Sequence, residues 1–161
     1  MEKLKELDAI LLLKINGMNC SMMDKIMWFI SNDFFIYPIL LVGLIVIWQK
    51  ISWKLAIITL ISILICIGIS DGVSNFTKHQ VKRYRPTHNL VLKDKIHIVN
   101  NYRGGTYGFF SSHAANTTSS VFLLIVVLLP VIQSKKLVWI WMIIPLIISY
   151  SRVYLGVHYV S

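Results

Sequence analysis

Two stretches of this chain, Phe34–Trp48 and Ile51–Ser70, are apolar with few interruptions and are joined by a short turn at Gln49-Lys50. Runs of that length need either a large soluble core or a bilayer around them. The chain has 161 residues, 56% hydrophobic and only 14% charged, which leaves too little polar surface for a soluble domain. Mean hydropathy is +0.67. The expected fold class is all-α, a polytopic transmembrane helical bundle, in one membrane-embedded domain covering residues 1–161.

The spans follow from the apolar runs. The first is expected from Ile26 to Trp48, with Asn32 and Asp33 near an interface or facing other helices. The second runs from Ile51 to Ser70 and continues as a polar helix. In that continuation Asp71, Ser74, Asn75 and Lys78 share one face. Charges at membrane depth cost roughly 2.5–3.5 kcal/mol each on insertion scales. The stripe therefore faces a bundle interior or watery cavity, unless the helix has already left the membrane. A third span is expected at about 114–132 and a fourth at about 137–150, with Pro145 inside it. Residues 86–112 form a long polar loop containing Pro86, Gly104, Gly105 and Gly108, and loops of that length are usually functional or disordered. At the N-terminus, Leu4, Leu7, Leu11 and Ile15 recur at helical spacing, with Lys3, Glu6 and Lys14 elsewhere. This predicts an amphipathic interfacial helix or a short extra span, ending at a turn at Asn16-Gly17.

The net charge of +9 fits membrane topology, anionic lipid or an anionic substrate. Nucleic acid is not an expected partner, because the apolar runs leave no soluble surface to carry it. Cys20 and Cys66 suggest no disulfide framework, and MEKLKELDAI lacks the order of a signal peptide. Lys50, Lys54, Lys135 and Lys136 lie at the two short connections, flanked by Trp48, Trp53, Trp139 and Trp141. The positive-inside rule makes that face cytoplasmic. The opposite loop is also basic, with Lys82, Arg83, Lys93, Lys95 and Arg103, but an anionic substrate there accounts for those cations separately.

Three clusters fall on that opposite face: Lys78 with Arg85-Pro86, Ser111-Ser112-His113, and Arg152 with His158. Each alone has an ordinary reading as a snorkelling cation, a helix N-cap or an interfacial histidine. Together they suit a phosphoryl group. Arg offers a planar fork of donors, Lys a point charge, and a helix N-terminus a ready anion site. Two histidines allow one nucleophile and one proton donor.

The order Lys78-(six residues)-Arg85-Pro86, Ser111-Ser112-His113, Ser151-Arg152-(five residues)-His158 resembles the three-part signature of the type 2 phosphatidic acid phosphatase family, K-x6-RP, PSGH and SR-x5-H-x3-D. The match covers residues 78–161, about half of the chain. The resemblance implies a metal-independent phosphatase acting on a lipid phosphate, with no cofactor. It implies that His158 is the nucleophile of a phosphohistidine intermediate and that His113 protonates the leaving oxygen. Lys78, Arg85, Arg152, Ser111 and the backbone N–H of Ser112 would hold the phosphate. Phe110 stands where the pattern has proline, and Ser112 where it has glycine. The pattern's final aspartate would fall one residue past Ser161, so the expected bundle has four spans present and a C-terminal helix missing. A lipid phosphotransferase would carry the same motifs, and a non-catalytic protein binding anionic headgroups would share the cations.

Overall fold

The computed structural model describes residues 2–131 and 135–160, with the side chains of Glu2 and residues 132–139 outside the description. Among the described residues all long elements are helical: α1 (Glu2–Asn16), α2 (Ser21–Ile30), α3 (Asp33–Lys50), α4 (Trp53–Val81), α5 (Ser112–Leu128) and α6 (Lys135–Tyr154). A single 3-10 turn, Pro86–His88, interrupts the long loop.

The expected first span, Ile26–Trp48, is two helices. The cause is the polar run Ser31-Asn32-Asp33. Asn32 adopts an extended conformation and its side chain accepts the Phe34 N–H at 3.0 Å, which starts a new helix. The α3 helix alone has 18 residues, about 27 Å at 1.5 Å per residue, close to the thickness of a hydrocarbon core. The polar continuation of the second span is present. The α4 helix begins where Ser52 Oγ accepts the Leu55 N–H and ends at Lys82 in the left-handed region (φ 49°). Its 29 residues extend about 44 Å, so the last third exceeds a bilayer core.

Helices α3 and α4 are long and apolar enough to cross a membrane, while α5 and the Ile140–Tyr154 part of α6 are shorter apolar helices. Only 11% of the residues in the most apolar window of α4 are buried inside the molecule. Ile57, Ile61, Leu64, Ile65 and Ile69 point outward. A soluble core helix would bury such side chains; lipid-facing ones stay uncovered. Helix α5 packs on both α4 and α6, and α3 packs on α4 and α5. Ile47, Ile63, Leu124 and Leu128 form one core of this bundle, and Ile36, Val121, Ile125 and Ile148 another. Gly43 lets α3 approach α5 closely, since a Cβ there would lie 2.8 Å from Leu124 Cδ1.

A second region caps one end of the bundle. Leu12 of α1, Leu92 and Ile96 of the loop, and Val153 of α6 make one small core. Met27, Val99, Tyr154, Leu155 and Val157 make its neighbour. In α1, Leu4 and Leu7 are exposed, and the docking face carries Asp8, Leu12 and Asn16. The apolar stripe expected from the sequence therefore points mostly outward. Lys135, Lys136 and Trp139, part of the expected basic, aromatic-flanked face, lie outside the described side chains.

Candidate active site

The up-and-down course of the chain brings the start of α3, the end of α4, the start of α5 and the end of α6 to the capped end. Each of the three sequence clusters rides on one of these helix ends or on the loop beside it.

Lys78 lies in the last turn of α4 and donates to Ser112 Oγ at 2.7 Å. Ser74, one turn earlier and fully buried, also meets Ser112 Oγ at 2.7 Å. Of the polar stripe on α4, Asp71 accepts from Asn116 Nδ2 at 3.0 Å, whereas Asn75 is exposed. The Ser111 hydroxyl caps α5, accepting the Ala114 N–H at 3.3 Å. Ser112 and His113 follow in the first turn, where a helix leaves its N–H groups without intrahelical partners. His113 Nε2 lies 2.9 Å from Asp33 Oδ1, an ion-pair distance at which no well-formed hydrogen bond is made.

Arg85 stands just beyond α4. Its backbone N–H donates to Thr106 O at 3.0 Å, and its Nε donates to Tyr107 O at 3.1 Å. Two glycines make room for the side chain. A Cβ on Gly104, which has φ +66°, would lie 2.5 Å from Arg85 Nη1, and one on Gly108 would lie 2.7 Å from Arg85 Cγ. Arg152 is buried at the end of α6. It donates from Nη1 to Ser31 Oγ at 2.7 Å and from Nη2 to the Tyr102 hydroxyl at 3.2 Å. Buried Arg85 Nη1 and Arg152 Nε have no hydrogen-bond partner. An unpaired buried guanidinium donor is costly, so these two atoms are poised for an anion.

His158 is 5% exposed. Burial, and then the positive charges of Arg85, Arg152 and Lys78 with a contribution from His113, push its pKa down to about 2. Burial and Arg152 likewise lower the pKa of Arg85. The imidazole is therefore held neutral within a cationic field, in the form that can act as a nucleophile.

The turn bearing His158 is tied down by residues that carried no local signal. Asn16 Nδ2 donates to Tyr154 O at 2.8 Å and to His97 O at 2.9 Å, while Asn16 Oδ1 accepts the His97 N–H at 2.8 Å. Asp8 Oδ1 accepts the Val160 N–H at 3.0 Å, and Asp8 also pairs with Arg83. Asp24 accepts the Tyr154 hydroxyl at 2.7 Å. Gly156 turns the chain with φ +69°, and a Cβ there would lie 2.5 Å from Ile96 Cγ2. Ser31, Asp33, Tyr102 and Gly104 complete the list of supporting residues that the motifs did not assign to the site. Among the described residues, no three His, Cys, Asp or Glu side chains are placed to hold a metal ion.

Lys78, Arg85, His113, Arg152 and His158 thus gather at one end of an apolar helical bundle, and they define the class: a membrane protein with three cations clustered beside two imidazoles. Comparison with known proteins specifies it further. Residues 59–161 match the PAP2 superfamily. The chain is 32% identical to a lipid A 4'-phosphatase of Porphyromonas gingivalis, with all of this chain and 67% of the relative covered. It is 31% identical to a lipid A 4'-phosphatase of Bacteroides thetaiotaomicron, covering 99% and 70%. Among solved structures, a PAP2-type phosphatidylglycerolphosphate phosphatase from Bacillus subtilis shares the fold with a TM-score of 0.71 at 19% identity, over 99% of this chain and 77% of that one. The chain belongs to the PAP2 superfamily and is a membrane lipid phosphatase of the bacterial type.

Proposed function

We propose that this protein is a single-domain, multi-pass phosphatase of the cell membrane that hydrolyses a phosphomonoester or diphosphate on a lipid through a covalent phosphohistidine. Lys78, Arg85, Arg152 and the first turn of α5, with Ser111 and Ser112, hold the phosphoryl oxygens. Neutral His158 attacks phosphorus, an N–P bond forms, and the P–O bond to the lipid breaks. Protonated His113 gives its proton to the departing oxygen. Water then attacks the phosphohistidine and passes a proton to His113. The N–P bond breaks, and inorganic phosphate leaves neutral His158 behind. Asp33 lies 2.9 Å from His113 Nε2 and places an acidic side chain beside the imidazole that donates the proton.

The observation that carries this reading is the pair of unpartnered buried donors, Arg85 Nη1 and Arg152 Nε, in the cationic set around a buried imidazole. The names of the two bacterial relatives make a lipid A phosphate the first substrate to try. Activity should survive EDTA, be blocked by vanadate, and vanish with its covalent intermediate in His158→Ala. His113→Ala should slow ordinary lipid phosphates by about 10²-fold or more yet spare p-nitrophenyl phosphate, whose leaving group needs no proton. Magnesium-dependent recovery after chelation, or equal loss on both leaving groups, would refute the respective roles.

The site lies at the end of the bundle opposite the Lys50–Lys54 turn, which the positive-inside rule places in the cytoplasm. The active site then opens outside the cytoplasm. In a Cys20→Ser background, which removes the exposed native thiol, a cysteine introduced at exposed Leu90 should react with a membrane-impermeant maleimide in intact cells. Reaction only after permeabilisation would reverse the orientation.

A further inference from the structure

Beside His113, a cleft of about 230 Å³ opens between α3, α4 and α5, and Arg152 is not part of its lining. Its polar wall is formed by Asp33, Tyr37, Asp71, Asn116, Thr117 and Ser120, and its apolar wall includes Leu40 and Ile67. None of the phosphate-binding cations lines it except through Ser112, the partner of Lys78. Polar side chains on inward faces of membrane helices are costly and mark a pathway or a site. Thr117 and Ser120 are buried, at 4% and 1% exposure. Asn116 spends its amide N–H on Asp71, and its buried carbonyl oxygen Oδ1 has no partner. That oxygen needs a donor from outside the protein.

We propose that this cleft receives the leaving group, and that it selects a phosphomonoester on a hydroxyl-bearing headgroup against a diphosphate. The inference rests on the roles given above to His113 and His158. A group that takes its proton from His113 must leave on the His113 side of the phosphorus. His113 lines two clefts; the other, of about 180 Å³, holds Arg152, which the mechanism gives to the phosphoryl group, so this one, free of those cations, is the one left for the leaving group. The polar groups waiting there are the carboxylates of Asp33 and Asp71 and the carbonyl of Asn116, which accept, and the hydroxyls of Tyr37, Thr117 and Ser120, which can do either. Sugar or glycerol hydroxyls are donors and satisfy them. A diphosphate departs as an alkyl phosphate, whose negative charge would enter a cleft already holding two carboxylates, with Lys78, Arg85 and Arg152 left behind on the other phosphoryl group. Rejection by like charge is an effective source of specificity.

The test compares a long-chain alkyl glucoside bearing one phosphomonoester with a long-chain alkyl diphosphate, using the full chain in detergent micelles. Asp71→Asn keeps the shape and a hydrogen bond to Asn116 while removing a charge. It should lower the ratio of kcat/KM, glucoside phosphate over diphosphate, by about tenfold or more, mainly by improving diphosphate turnover. Thr117→Val, isosteric and uncharged, should lower the same ratio by a few-fold through the glucoside substrate alone. A ratio that stays put in both variants, with the two substrates losing activity equally, overturns the inference while leaving the phosphatase mechanism intact. A wild-type protein that hydrolyses neither substrate, nor p-nitrophenyl phosphate, removes the mechanism on which it rests.

Discussion

The bundle and its cap hold together by different means. In the bundle, α3–α6 bury Ile47, Ile63, Leu124 and Val121 against one another, and many contacts of similar kind share the load. In the cap, single polar side chains join segments far apart in sequence: Asn16 reaches Tyr154 and His97, Asp8 reaches Val160, and Ser31 and Tyr102 hold Arg152. Apolar packing is distributed and tolerates local change, while a buried hydrogen-bond tie has no substitute when removed. The reacting groups belong to the cap or to helix ends beneath it. Damage to the cap should therefore cost activity before stability, and damage to the bundle should do the reverse.

The glycine pair around Arg85 offers the sharpest break. Gly104→Ala places a methyl 2.5 Å from Arg85 Nη1 at a backbone angle that L-residues rarely adopt, so the guanidinium must leave its seat. The expected loss in kcat/KM is about 10²-fold, the scale for removing one preorganised donor from a transition state. Gly105→Ala is the matched control, because its Cβ would meet nothing within 4 Å. Similar losses in both variants would mean that loop stiffness, not the seat of Arg85, is what matters.

A smaller effect separates the two regions directly. Asn16→Ala removes three hydrogen bonds from the support of the His158 turn, 138 residues away from Tyr154 in sequence. It should lower kcat by about tenfold with little change in KM, because misplacement weakens attack more than binding. Ile63→Ala, in the bundle core at 3% exposure, should lower stability by about 2–4 kcal/mol yet leave the turnover of folded molecules normal. Normal turnover in Asn16→Ala would show that α1 is dispensable to the site and would dissolve the distinction between the regions.

The same contrast explains what could be read from the chain. The apolar runs announce α3 to α6 because packing helices in lipid imposes a compositional signal on every turn. Lys78, Arg85, His113, Arg152 and His158 are legible because the proposed phosphate chemistry asks for these residue types at fixed spacings. The break at Ser31-Asn32 was hidden inside what reads as one long span, since three polar residues beside a 15-residue apolar run suggest an interface as readily as a cap. Asp8, Asn16, Asp24 and Tyr102 carry no local pattern at all. Their partners lie tens to more than a hundred residues away, and only the folded chain defines the pairing. The Leu4, Leu7 and Leu11 stripe gives the period of α1 correctly but not the face that docks, because the face toward the protein is fixed by Asp8 and Asn16.

The smallest effect concerns acid. His158 has an ordinary pKa near 6.5 in the unfolded chain and about 2 in the folded one, where burial comes first and Arg85, Arg152 and Lys78 follow. Well above pH 6.5 it is neutral in both states and contributes no pH dependence. Below 6.5 the unfolded chain takes up a proton that the folded chain refuses, so stability falls as pH drops from 6.5 toward 2. At pH 5 this amounts to about 2 kcal/mol for this one group, at 1.36 kcal/mol per pH unit. Thermal unfolding in detergent at pH 7.5 and pH 5 should show a loss in the wild type that is smaller in His158→Gln. Vanadate should narrow the difference too, because an anion among the three cations cancels part of the field that lowers the pKa and raises it again. If His158→Gln and the wild type lose the same stability on acidification, the imidazole is not held neutral by its surroundings. The acid sensitivity would then come from other groups, and the cationic field around His158 would need another explanation.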